Sequence, residues 1–139
     1  MKMTGNYAIY NNKEYEANKD GETFEIVLIT KDKHEKRNGF KKSKWADHFL
    51  KRVTIHQLQY AYRHQNYGLY RGERVVIFDK KGDCFWIAAD AETAKKVGIP
   101  RSDKFSYEAL VNKSDIDEVF YEKKPIWGFE KKDEPLNLE

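Results

Sequence analysis

The chain repeats itself at a spacing of about 60 residues, and this constrains its fold more than any other feature. Asn6-Tyr7-Ala8-Ile9-Tyr10 returns as Asn66-Tyr67-Gly68-Leu69-Tyr70. Lys19-Asp20-Gly21-Glu22-Thr23-Phe24-Glu25-Ile26 returns as Lys80-Lys81-Gly82-Asp83-Cys84-Phe85-Trp86-Ile87. Lys36-Arg37-Asn38-Gly39-Phe40 matches Lys95-Lys96-Val97-Gly98-Ile99, and Val53 and Leu58 match Val111 and Ile116. Four matches in one order, at offsets between 58 and 61, point to a tandem duplication with one-residue insertions. A third, truncated start is read at Ile126-Trp127-Gly128-Phe129. The expected organisation is a first unit over 1–63, a second over 64–131 and a polar tail over 132–139.

Each unit reads as mainly β with short helices. A short strand (Tyr7 to Tyr10; Tyr67 to Tyr70) meets a turn at Asn11-Asn12 or Arg71-Gly72 and then a second strand. Gly21 and Gly82 mark the next hairpin turn, because glycine takes positive φ without a steric cost. The third strands, expected over Thr23 to Thr30 and Cys84 to Ala89, are rich in branched and aromatic residues. Asp90 caps a short helix that Gly98 and Pro100 stop, and the equivalent run Asp32 to Gly39 is poorer and reads as a turn. Thr54 to Gln57 forms a capping box, and Ser114 to Asp117 resembles one. Closing strands follow over Gln59 to Tyr62 and Glu118 to Tyr121. In element order the unit resembles an SH3-like small barrel; the alternative is an open antiparallel sheet with one packed helix. With no Gly/Ser/Pro-rich spacer between Tyr62 and Asn66, the two units are expected to pack together.

Composition narrows the function classes. Nine Tyr, eight Phe and three Trp in 139 residues argue for a folded core. No run approaches the roughly 20 apolar residues of a membrane span. The opening residues lack a signal-peptide hydrophobic stretch, and the single Cys84 suits a reducing compartment, so a cytoplasmic location is expected. Phosphate-loop, dinucleotide, zinc-protease and serine-hydrolase patterns are all missing. Cys84 opens a strand where Thr23 stands in the other copy, and reads as a small strand-face residue. The four histidines, His34, His48, His56 and His64, lack the tight ligand spacing of a zinc site. Hence no enzyme is expected, and no catalytic residue, metal ligand or cofactor is assigned.

Charge is distributed unevenly. Residues 1–70 carry 13 Lys/Arg against 8 Asp/Glu (+5), and residues 71–139 carry 13 against 15 (−2). The excess sits between Lys31 and Arg52, where nine basic residues face three acidic ones and alternate with Phe40, Trp45 and Phe49. Lys41, Lys42, Lys44, Trp45 and Arg52 form the candidate binding set. Three readings compete. Cations and aromatics can bind single-stranded nucleic acid by charge and stacking. The loop can be solvated, with its aromatics turned into the core, as the low total charge favours. The same residues can also meet an acidic protein, since Trp and Arg commonly anchor interfaces. The preferred function is a non-catalytic protein-binding module, such as a small cytosolic inhibitor, neutralising protein or adaptor. Nucleic-acid binding through 31–52 and an enzyme with an unrecognised site are the alternatives.

Overall fold

The computed structural model describes residues 1–44, 46–103, 106–132 and 134–135. The chain is mainly β, with antiparallel strands and a few short helices. It divides into two compact units. One comprises Gly5–Arg63 and Lys124–Glu139 (the first unit below), the other Met1–Thr4 and His64–Lys123 (the second unit).

The first unit contains β1 (Gly5–Tyr10), β2 (Lys13–Lys19), β3 (Ile26–Thr30), β4 (Lys41–Lys42), β5 (Phe49–Val53) and the start of β6 (Tyr60–Tyr70). Their order is β4-β5-β3-β2-β1-β6. Asn11 and Asn12, with φ of 50° and 61°, turn β1 into β2 in the left-handed region that asparagine tolerates. Period-2 alternation sends Tyr15 and Ala17 of β2, Ile26 and Leu28 of β3, and Phe49 and Val53 of β5 into one core. Phe40, Leu58, Tyr60 and Tyr62 complete it. A 3-10 helix over Lys33–Asn38 links β3 to β4; Asp32 starts it by accepting the His34 N–H at 2.9 Å, and Gly39 ends it at φ 91°. A second, Ile55–Gln57, precedes β6, with the Gln57 side chain accepting the Thr54 N–H at 2.8 Å.

The second unit continues from β6 into β7 (Glu73–Lys81), β8 (Cys84–Ala89), α1 (Ala91–Val97), β9 (Tyr107–Asn112) and β10 (Ile116–Pro125). The strand order is β6-β7-β8-β9, with β10 also paired to β6. α1 forms as its sequence dictates: Asp90 accepts the Thr93 N–H at 2.8 Å, and Gly98 ends the helix at φ 79°. Ala94 and Val97 press it onto Val75, Ile77, Phe85 and Ile87. Arg71 and Gly72, at φ 50° and 83°, form the β6–β7 turn, and Arg71 donates to the Val97 carbonyl at 2.6 Å. Gly72 faces open space, so Gly72→Ala probes backbone strain alone. It is expected to cost about 1 kcal/mol in urea denaturation, because a Cβ penalises positive φ.

Three local expectations need correction. Gly21 does not take positive φ; Phe24 does, at 61°, and is 64 % exposed. The Asp20 carboxylate accepts the Glu22 and Thr23 N–H groups, so 20–25 is a longer loop and β3 starts only at Ile26. Ser114 does not cap its turn. Asn112 does, accepting the Ser114 N–H at 3.1 Å for the 3-10 helix Lys113–Asp115. Residues 126–129 are not a strand of the second unit: Trp127 and Gly128 turn at φ 57° and 92°, Ile126 donates to Ala61, and Phe129 enters the first unit's core.

Candidate functional site

The alternation that fills the first unit's core also defines its outer face. Glu14, Glu16 and Asn18 of β2, Val27 and Ile29 of β3, and Leu50 and Arg52 of β5 point away from Tyr15, Ala17, Leu28 and Phe49. Strand register aligns them across the sheet. Glu16 pairs with Ile29, Ile29 with Leu50, and Leu50 with Lys41, while Asn18 pairs with Val27 and Val27 with Arg52.

A groove of about 550 Å³ opens over the β4 end of this face. Val27 and Leu50 supply its apolar part, and Lys41, Lys42, Lys44, Lys51 and Arg52 line it. Four of the five residues in the candidate binding set therefore converge, and the fifth, Trp45, lies outside the described residues.

The five cations are not equivalent. Arg52 is engaged by Asp20 at 3.0 Å and Glu25 at 3.5 Å. The Glu22 N–H and then Arg52 hold the Asp20 carboxyl below its ordinary range, and Asp20 raises the Arg52 guanidinium in return. Lys51 donates to the Asn38 carbonyl at 2.6 Å and sits 5.0 Å from the Tyr10 ring centre. Lys41, Lys42 and Lys44 are exposed, and no carboxylate pairs with them among the described residues. These three carry the groove's available charge.

The aromatics of the basic segment go elsewhere. Phe40 and Phe49 are 2 % and 7 % exposed and belong to the core. Among the described residues that line the groove, none is aromatic. A second hollow of about 380 Å³ lies on the same unit, lined by Tyr7, Glu14, Glu16, Ile29, Lys31 and His48 among others.

Sequence reasoning missed the residue that holds the groove in place. Glu35, 5 % exposed, lies in the 3-10 helix that leads through Gly39 and Phe40 into β4. Its carboxylate accepts from the Tyr15 hydroxyl and from Asn38 Nδ2 at 2.9 Å, and Lys13 approaches to 3.4 Å. Burial opposes its ionisation, but bonds from Tyr15, Asn38 and Lys13 prevail and set its carboxyl below the usual range. The Tyr15 hydroxyl is pushed up by burial and by that same bond. Glu35 is one of three acidic residues inside the basic run, and nothing local in the sequence marks it out.

A model of the family described as Uncharacterised conserved protein UCP033725 matches residues 2–128, which reach into both units. The chain belongs to this family. No curated protein and no solved structure matches it at a significant level. The family description assigns no chemistry, so the side chains must.

Two of the histidines have structural partners. His64 is buried, bonded to Asn66 Oδ1 at 2.8 Å and stacked on Tyr121 at 4.8 Å. His34 bonds Asp32 at 3.0 Å. Cys84 is half-buried at the start of β8, opposite Asn112. Among the described residues, no group of three or more His, Cys, Asp or Glu could hold a metal ion, and no helix is long and apolar enough to cross a membrane.

Proposed function

We propose that this family member is a non-catalytic protein-binding module, of the kind used by small inhibitors, neutralising proteins and adaptors. It docks an acidic partner surface on the outer face of its first unit. The observation that carries this reading is the set of three exposed lysines without carboxylate partners among the described residues, beside the apolar Val27 and Leu50. Protein interfaces combine apolar contact with a polar rim in this way. A single-strand nucleic-acid site needs stacking rings, and the groove's described lining offers none. Glu14 and Glu16 on the same face would also repel a polyanion.

The test is affinity capture with the wild-type chain and with Lys42→Glu/Lys44→Glu, each with and without nuclease treatment. Proteins retained by wild type, lost by the variant and indifferent to nuclease support the reading. An identical set from both chains rules this face out, and nuclease-sensitive capture transfers the site to nucleic acid.

We also infer that the two units are diverged copies with an SH3-like layout. Three features support this. Each runs strand, left-handed two-residue turn, strand, strand, short helix, strand, 3-10 helix, strand, the first unit adding the two-residue β4 before β5. The left-handed turns, Asn11-Asn12 and Arg71-Gly72, lie 60 residues apart. In each unit the last strand returns to the first, β6 to β1 and β10 to β6, as a small barrel requires. An experimental structure in which residues 6–62 and 66–121 do not superpose would dismiss the duplication.

A further inference from the structure

The row that crosses the first unit's outer face is a charge palindrome. Read over β2, β3, β5 and β4, it runs Glu16, Ile29, Leu50, Lys41: acid, apolar, apolar, base. Neighbouring strands lie about 4.8 Å apart, so the row spans roughly 14 Å. Glu16 and Lys41 are exposed and the two residues between them half-buried; beyond Glu16 the row continues to Tyr7 of β1, which is buried.

A two-fold axis parallel to the strands, passing between β3 and β5, maps this row onto itself in reverse. Two copies laid face to face about that axis would set Glu16 of each against Lys41 of the other. Ile29 would meet Leu50 twice, and Val27 would meet the aliphatic stem of Arg52. Each contact is made twice, as a two-fold interface requires. The charges at the two ends also fix the orientation. Sliding or reversing the partner would place Glu16 on Glu16 or Lys41 on Lys41, and like charges brought together are costly.

We propose that this face pairs with a second copy of the chain, which supplies the carboxylates that its lysines lack among the described residues. The inference rests on the reading of the face as a protein-docking surface. It commits that reading to one occupant, chosen by charge complementarity along a row whose register is set by three ladders. Glu16 becomes a determinant of pairing equal in weight to Lys41. The wild-type chain therefore forms a two-fold dimer with Glu16 turned toward its partner's lysine groove, while Glu14 keeps the bond it accepts from the Tyr62 hydroxyl.

Sedimentation velocity on the full chain, from micromolar to near-millimolar concentration, tests the assignment. The wild type is expected to dimerise, less tightly as salt rises. Glu16→Lys alone places cation on cation at both ends of the row, and Lys41→Glu alone places acid on acid. Each should weaken dimerisation at least about tenfold. The double variant E16K/K41E restores opposite charges at both ends and should recover most of the wild-type affinity. An equimolar mixture of the two single variants should do the same by forming a mixed dimer. Both positions are exposed, and near-ultraviolet circular dichroism on each variant checks that the fold persists.

A wild-type chain that stays monomeric throughout overturns the proposal. So does a dimer indifferent to both single variants, or single-variant losses that neither the double variant nor the mixture repairs. The broader reading fails separately. A monomeric chain whose captured partners are lost in Lys42→Glu/Lys44→Glu keeps the docking surface and discards the second copy as its occupant.

Discussion

Glu35→Ala should be among the most damaging single substitutions in the first unit, with an expected loss of about 2–4 kcal/mol in urea denaturation. The substitution leaves the buried Tyr15 hydroxyl and the Asn38 amide without their acceptor, and it removes the carboxylate opposite Lys13. An unmade bond to a buried polar group costs more than the bond itself is worth, so the orphaned Tyr15 hydroxyl dominates the loss, while the exposed Asn38 amide can turn to water. Glu35→Gln keeps one acceptor oxygen and should lose about half as much. The same carboxyl makes stability depend on pH. Its folded pKa lies below its unfolded value, so its contribution is complete above the ordinary glutamate range. It disappears as pH falls through the lowered folded value. Wild type should therefore lose stability on acidification through this range more steeply than Glu35→Gln. Equal slopes would show that folding does not shift the Glu35 carboxyl.

Because Glu35 fixes the segment that delivers Lys41, its loss should also loosen the groove. This ties stability to binding through one residue, and it shows what the sequence could and could not disclose. The turns and the α1 cap were legible because their signals are local. Asn11-Asn12, Arg71-Gly72 and Asp90 with Gly98 each act within a few residues through backbone sterics and capping. Gly21 misled because Asp20, one position earlier, offered two N–H groups a carboxylate and reshaped the loop. The binding set was legible as a basic run, since Lys41, Lys42 and Lys44 are near neighbours in sequence. Which cations are available was not. That depends on Asp20 and Glu25 reaching Arg52 from the β2–β3 loop, and on Asn38 reaching Lys51. The alternation Glu14-Tyr15-Glu16-Ala17 already places both glutamates on one face. Aligning Glu16 with Lys41 takes the register of three ladders, which no local pattern encodes.

Gly68 provides the sharpest test of the second unit's packing. A Cβ at this position would lie 2.8 Å from Ile116 Cγ2, 3.1 Å from Ile77 Cδ1 and 3.4 Å from the Glu118 carbonyl oxygen. Gly68 does not need glycine for its dihedral angles, since it is absent from the positive-φ residues. It needs glycine because β10 and β7 side chains meet above β6 with no room for a methyl group. Gly68→Ala should therefore destabilise by about 1–3 kcal/mol through overpacking. Ile116, 8 % exposed, fills this space from the other side, and Ile116→Ala should cost about 2–4 kcal/mol by leaving a cavity. In the double variant the new methyl enters the space that the isoleucine vacated. Its loss should be smaller than the sum of the two single losses by about 1 kcal/mol or more, the signature of residues in direct contact. Additive losses would mean that β10 does not lie on β6 at Gly68, and the closure of the second unit by its last strand would have to be abandoned.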